Sequence, residues 1–404
     1  MHDKSNTLKK EQVIFSLFPL KIMIFMLSAG PLYGIYLSYT QNKSLLGLYA
    51  DQELLLKFSI YVFMVGIFLL TIKSNVTINY ISHNNIKTIS HRVLLLAILC
   101  FISIFLFAGI HTLSGTLGRG DVRINAGILG PFYALSLKYL LPLISLLTSV
   151  ILYQQKQFKT SKYVYIILLA CGFMSGGKAI TIFILLSTTC YFWPKFSFLK
   201  KTISILIAIT IIISSHMFFS KRDITISDSI NYNITRATQI SAYGALAAWD
   251  FSKENDIEKL PTIMRSIFGD HLVKLLFETD NTNLMYWNIS KLITYTYYPD
   301  WARAREGSTN LTLTIFSDFI LYFESFWFFG LVIFLLFLYV LIHLMKTAFS
   351  GGNIILGSIL FLYINMTILS IINSGGFFRA LSIPNLVYYL ILFIIVRFYI
   401  LRAR

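Results

Sequence analysis

Charged side chains are scarce in this 404-residue chain, at 13% of the total, and acids are the scarcer sign, with 18 Asp and Glu against 34 Lys and Arg. A soluble domain carries roughly 25% charged residues. With 56% hydrophobic residues and a mean hydropathy of +0.70, the chain lacks the polar surface to face water as an ordinary globule. That excludes the soluble multi-domain reading its length would favour. Cysteine is nearly absent. Cys100, Cys171 and Cys190 are odd in number, scattered and inside apolar runs, which excludes a disulfide framework or a zinc spacing. Also missing are a His-Glu-x-x-His helix, a carboxylate cluster and a strand followed by a phosphate-binding Gly-rich loop. The Gly-Gly-Lys-Ala at 176–179 has neither the upstream glycine nor the strand of such a loop. Neither a metal nor ATP-driven chemistry is expected. No small-residue cleavage site follows Lys9, Lys10 and the first apolar run, so that run is read as a retained helix rather than a signal peptide.

Long apolar runs are what the chain has in abundance. A span needs about 20 apolar residues. Ten runs qualify as candidates: 13–38, 54–72, 93–110, 132–153, 163–175, 179–194, 202–219, 326–345, 354–373 and 385–401. The fold class expected is all-α and polytopic, with about ten transmembrane helices. The net charge of +16 sorts by connector. The N-terminal tail, 73–92, 154–163, 195–201, 346–353 and the C-terminus from Arg397 hold sixteen Lys and Arg against two acids, Asp3 and Glu11. Every second connector is thus basic, which orients both termini to the cytoplasm by the positive-inside rule. A nucleic-acid surface would gather its basic residues on one folded face. Here they are spread over short connectors, so nucleic acid is not an expected partner and membrane lipid is.

Three regions follow: 1–219 with seven spans, 220–325 as a large outer loop, and 326–404 with three spans. The outer segment 220–310 contains ten Lys and Arg and eleven Asp and Glu, so it is no basic patch. Apolar residues recur at threes and fours over 234–251 and 257–277, which predicts a helical cap over the bundle. The apolar stretch 311–322 predicts an interfacial or re-entrant helix leading into the next span. Within the first region, 163–194 forms a short hairpin with Met174-Ser175-Gly176-Gly177-Lys178 at its tip. Arms of about 13–16 residues reach only about 20–24 Å at 1.5 Å per residue, short of a hydrocarbon core of about 30 Å. Either the tip stops inside the membrane and Lys178 faces a wet cavity, or two short spans are complete and Lys178 reaches the interface.

Outer-facing cations run against the topological bias. Arg119 and Arg123 flank Asp121, Arg236 lies in the first cap helix, Arg303 and Arg305 follow Pro299-Asp300-Trp301, and Arg379 ends Ser374-Gly375-Gly376-Phe377-Phe378. The planar guanidinium suits phosphate and diphosphate oxygens. Candidate acids and bases are Asp318 and Glu324, set in apolar sequence, and His271 in Gly269-Asp270-His271. Lys138 is a charge inside the fourth span.

These features resemble the O-antigen polymerases, the Wzy-type oligosaccharide repeat-unit polymerases. Arg119, ten further residues and then Gly130 are similar to an arginine-then-glycine pattern in that family. The tip Ser175-Gly176-Gly177-Lys178 resembles its Ser-Gly turn, with lysine where family members often carry arginine. Glu306-Gly307-Ser308-Thr309-Asn310-Leu311-Thr312, then Asp318, then Phe328-Phe329-Gly330 resemble its Gly-Ser/Thr-x-Thr run before a Phe-Gly start. The likeness covers most of the chain's layout. It implies a GT-C-like fold in a bacterial inner membrane with its active site facing the periplasm. It also implies polymerisation of undecaprenyl-pyrophosphate-linked repeat units without nucleotide sugar, metal or other cofactor. A chain-length regulator would be a partner. Arg119, Arg123 and Lys178 would hold the lipid diphosphate, with Arg236, Arg303, Arg305 and Arg379 on a second diphosphate or the glycan. Asp318, Glu324 or His271 would take the acceptor proton. The rival readings are an O-antigen ligase and a lipid-linked oligosaccharide flippase.

Overall fold

The computed structural model describes residues 10–41, 47–81, 86–109, 130–175, 178–219, 225–255, 257–278, 280, 287–298 and 312–401. Among them, seven helical stretches are long and apolar enough to cross a membrane. These are Phe18–Thr40 (α1), Gln52–Thr71 (α2), Ile86–Ala108 (α3), Gly130–Tyr153 (α4), Ile315–Ser350, Ile354–Ser374 (α14) and Phe377–Ile400. The chain is therefore a predominantly helical bundle of the membrane type. The three other expected spans are helical as well: Phe158–Met174 (α5), Lys178–Phe192 (α6) and Phe198–Phe219 (α7).

α4 is the hub, with 89% of its apolar window buried against 33% for α1, α2 and α3. Lipid can take the exposed apolar faces of the outer helices, whereas α4 must find protein partners on every side. Its polar groups accordingly pair with the hairpin: Ser145 Oγ lies 2.7 Å from Thr188 Oγ1 and Ser149 Oγ 3.0 Å from the Tyr165 hydroxyl. The hairpin arms have 17 and 15 residues, about 26 and 22 Å of helix at 1.5 Å per residue. They cross closely near the tip, where a Cβ on Gly172 would sit 2.8 Å from Thr181 Oγ1.

One end of the bundle carries a feature absent from the all-helical expectation. Lys10–Ser16 (β1) pairs antiparallel with Asn75–Ile81 (β2), joining the segment before α1 to the α2–α3 connector. Further bonds gather the basic connectors at this same end. Lys346 Nζ donates to the Lys73 carbonyl at 2.7 Å, and Arg92 Nη1 donates to the Tyr399 carbonyl at 2.7 Å. The Phe18 and Trp193 rings meet at 5.4 Å, and the Tyr191 hydroxyl reaches Gln154.

The other end carries the cap. Its helices are Ile226–Thr235 (α8), Ser241–Glu254 (α9), Lys259–Phe277 (α10) and Ile289–Tyr297 (α11), with a wide π-turn over Arg236–Ile240 joining the first two. α9 lies on α1 at Gly34, where a Cβ would come within 2.6 Å of Ala242 Cβ. α10 bends at Gly269, whose φ of 77° suits glycine. The bend rests on Pro384 of α15 (Ile383–Ile394), the helix that follows the tight turn Phe377–Leu381.

Ile315–Phe323 (α12) and Trp327–Ser350 (α13) stand where a short helix over 311–322 and a span over 326–345 are expected. Thr314 and Ser317 form a reciprocal capping box that starts α12. The helix ends at Glu324, where φ turns to 49°. α12 is sealed on all sides, with residues 315–322 buried, so it is a core helix rather than an interfacial one. Its aromatic rings explain this. Phe316 packs edge-on against Phe58 of α2 at 4.7 Å, and Phe319 lies 6.1 Å from Phe334 of α13. Gly330 lets α13 approach, since a Cβ there would sit 2.7 Å from the Phe323 ring.

Candidate functional site

Six of the eleven residues singled out in the sequence have no described side chain. Arg119, Arg123, Arg303 and Arg305 lie outside the described residues; Arg236 and Lys178 are described only as backbone, opening the π-turn and α6. The other five fall in different settings.

Asp318 and Arg379 come together from separate regions. Asp318 sits in the first turn of α12 and is fully buried. Its Oδ2 accepts from the backbone N–H of Gly376 at 2.6 Å and of Phe377 at 2.8 Å. Arg379 belongs to the same turn and is exposed. His271 is exposed on α10 beside Asp270, which Arg265 grips through Nε at 2.7 Å and Nη2 at 3.0 Å. That bidentate grip holds the Asp270 carboxyl below its usual range. Lys138 is half-buried in α4.

Glu324 occupies the α12–α13 break. Its φ of 49° and ψ of −119° match the first central position of a type II′ turn, where glycine is the ordinary residue. A non-glycine there carries strain of about 1–3 kcal/mol, a pattern that clusters at functional sites. The side chain is exposed, ion-paired with Lys259 of α10, and lines an open cleft of about 350 Å³. Small-molecule sites begin at about 300 Å³.

The cleft lies where the start of α2, the end of α9 and the α12–α13 break converge. Glu53, Lys57, Trp249 and Lys253 supply its charged and aromatic wall, and Ser252 and Asn255 its neutral polar groups. Lys57 bonds Glu53 at 2.7 Å one turn away, and Lys253 bonds Asp51 at 2.6 Å. The indole N–H of Trp249 also donates to Asp51, at 2.8 Å. Lys57 and Lys253 both lie over the Trp249 ring, 4.6 and 4.8 Å from its centre. Burial alone would push the Asp51 carboxyl up. The Lys253 ammonium, the Leu54 N–H and the indole outweigh it and hold that carboxyl below its usual range. The wall thus interleaves carboxylates, ammonium groups, an amide and hydroxyls. Such a wall can donate to and accept from a neutral polyhydroxylated ligand at the same time.

Sequence reading found Glu324 but missed Glu53, Lys57, Trp249 and Lys253. A usable signal existed in one pair: Glu53 and Lys57 put opposite charges at i, i+4 into the start of an apolar helix. Trp249 and Lys253 carried none, because their role depends on how the cap docks. No family model, curated protein or solved structure matches the chain.

Proposed function

We propose that this protein is a membrane glycosyltransferase that polymerises lipid-linked oligosaccharide repeat units, as the O-antigen polymerases do. The observation that carries the reading is Glu324, an exposed carboxylate on strained backbone, lining a cleft of mixed donors and acceptors under the cap. The basic connectors gathered at the opposite end support a cytoplasmic placement of that end. The cleft then faces the periplasm of a bacterial inner membrane, in a ten-span, N-in and C-in, GT-C-like protein.

In this reading the cleft takes the non-reducing sugar of the acceptor repeat unit. Ser252 and Asn255 bond its hydroxyls, and Lys259 orients Glu324. Glu324 accepts the proton of the attacking hydroxyl. The acceptor oxygen bonds to the anomeric carbon of the donor glycan as the bond from that carbon to the undecaprenyl diphosphate breaks. The diphosphate leaves with the electron pair. Arg379 and the arginines of the outer loops stabilise its charge. A chain-length regulator fits such an enzyme as a partner.

The test is polymer-length profiling in a deletion strain complemented with Glu324→Gln. Single-repeat products at normal expression are expected. Normal chains would remove Glu324 from the chemistry. Lipid-linked repeat trapped on the inner leaflet would instead assign a flippase, and full-length glycan not joined to lipid A-core would assign a ligase.

A further inference from the structure

The buried carboxyl of Asp318 invites the role of catalytic base, and the geometry assigns it another. We infer that Asp318 is a positioning residue whose carboxylate holds the Gly375–Arg379 turn in the shape that presents Arg379 at the outer surface. This role for Arg379 rests on the proposed reading; the hold on the turn does not.

The turn enters a setting where its backbone has few partners. Phe377 is ringed by Phe319, Phe323, Phe334 and Phe378, with centroids between 5.1 and 6.4 Å away. Exposed N–H groups among such rings would each cost several kcal/mol, about the same as in hydrocarbon. Gly375 and Gly376 adopt φ of 68° and 90°, and the successive N–H groups of Gly376 and Phe377 converge on one oxygen, Asp318 Oδ2. Consecutive backbone N–H groups turned this way form a concave anion cradle. Here the acceptor in the cradle is a carboxyl oxygen of the protein itself.

The cradle also fixes the arginine. A Cβ on Gly376 would lie 2.8 Å from Arg379 Cδ and 2.9 Å from Nε, so the Arg379 side chain runs back across the glycine. On the far side, the Tyr363 hydroxyl donates to the Ala380 carbonyl, and Tyr322 meets the Phe378 ring edge-on at 5.0 Å. Asp318 does not line the cleft that holds Glu324. The two carboxyls are six helical positions apart, about 9 Å along the axis. Asp318 Oδ1 is buried and has no hydrogen-bond partner among the described residues, and it lies beside the space left by the missing side chain of Gly375.

Asparagine separates the two roles, because its carbonyl oxygen can accept both N–H bonds and cannot act as a base. The experiment uses full-length protein in nanodiscs and reads hydrogen exchange over 375–380 together with polymer formation. Asp318→Ala should lose amide protection and lose activity to the same extent as Arg379→Ala, about a hundredfold for a displaced group. The double variant should be no worse than either single, as expected for residues acting as one unit. Asp318→Asn should keep protection and keep activity within a few fold, with the pH profile unmoved. Gly376→Ala attacks the turn from the other side with Asp318 intact, and should match Arg379→Ala even if Asp318→Ala fails to fold. Protected amides with a dead Asp318→Asn enzyme would overturn the inference in favour of a chemical role. Unchanged protection in Asp318→Ala would also overturn it. Lost protection in Asp318→Ala with normal polymer from Arg379→Ala would support the hold on the turn and overturn only the anion role of Arg379.

Discussion

Asp318 and Glu324 begin and end one short stretch, α12 and its terminal turn, and the bundle treats them oppositely. Asp318 faces α14 and the last turn, where two N–H groups consume one of its oxygens. Glu324 falls where the helix breaks, so its side chain leaves the aromatic packing and reaches the cleft and Lys259. In sequence both are acids in an apolar run. What separates them is helical phase and the position of the break. The buried acid binds backbone, while the acid at the break stands exposed in the cleft.

The comparison can be pressed from several sides. The largest effect should come from Glu324→Gln, which keeps the shape and removes the proposed base. Activity should fall about 10²–10⁴-fold, the span typical of general-base loss, measured as polymer per unit of purified enzyme. Next is Gly244→Ala in α9, where a Cβ would lie 2.0 Å from the Thr312 carbonyl oxygen and 3.0 Å from Leu313 Cα. Backbone cannot yield as a side chain tip does, so the cap should separate from the entry to α12. A loss of about 1–3 kcal/mol or more is expected, read from thermal unfolding in detergent. Glu324→Gly should act in the opposite direction on stability. Relief of the left-handed φ should stabilise by about 1 kcal/mol while activity is lost, and a lower midpoint would show that the break is not strained.

The smallest effect concerns the cap–α2 contact at Asp51. Its folded carboxyl is held below the ordinary value, so the contribution is present above the unfolded value and fades as pH falls through the folded one. This contribution should therefore be lost only below about pH 4. The pair is largely solvated, so the change should stay within about 1 kcal/mol. Asp51→Asn should flatten the dependence of the unfolding midpoint on pH in that window.

Much of the bundle was legible, because lipid-facing helices must be continuously apolar and the connectors carry their own charge code. Helices covering α1 to α4 and the late spans follow from such runs. The separation of 311–322 from the span at 326–345 was legible and the helices do part there, whereas the left-handed backbone at Glu324 was not, since its residue is not glycine. β1 and β2 were hidden too, since Val13, Phe15, Val76 and Ile78 read equally well as the flanks of helices and are here buried strand residues. Of the site, the acids and Arg379 could be singled out from residue type and setting. Their partners could not, because Trp249 and Lys253 reach the cleft, and Lys259 reaches Glu324, only through docking of the cap.

The pairing of β1 with β2 has a bearing on how the chain is made. Residues 10–16 leave the ribosome long before their partners at 75–81, with α1 and α2 between them. The first two helices must therefore be threaded as a pair before the sheet can zip shut behind them. Once it has, the opening segment of the chain is latched to a later connector. A blocked or misdirected second helix should leave that latch open.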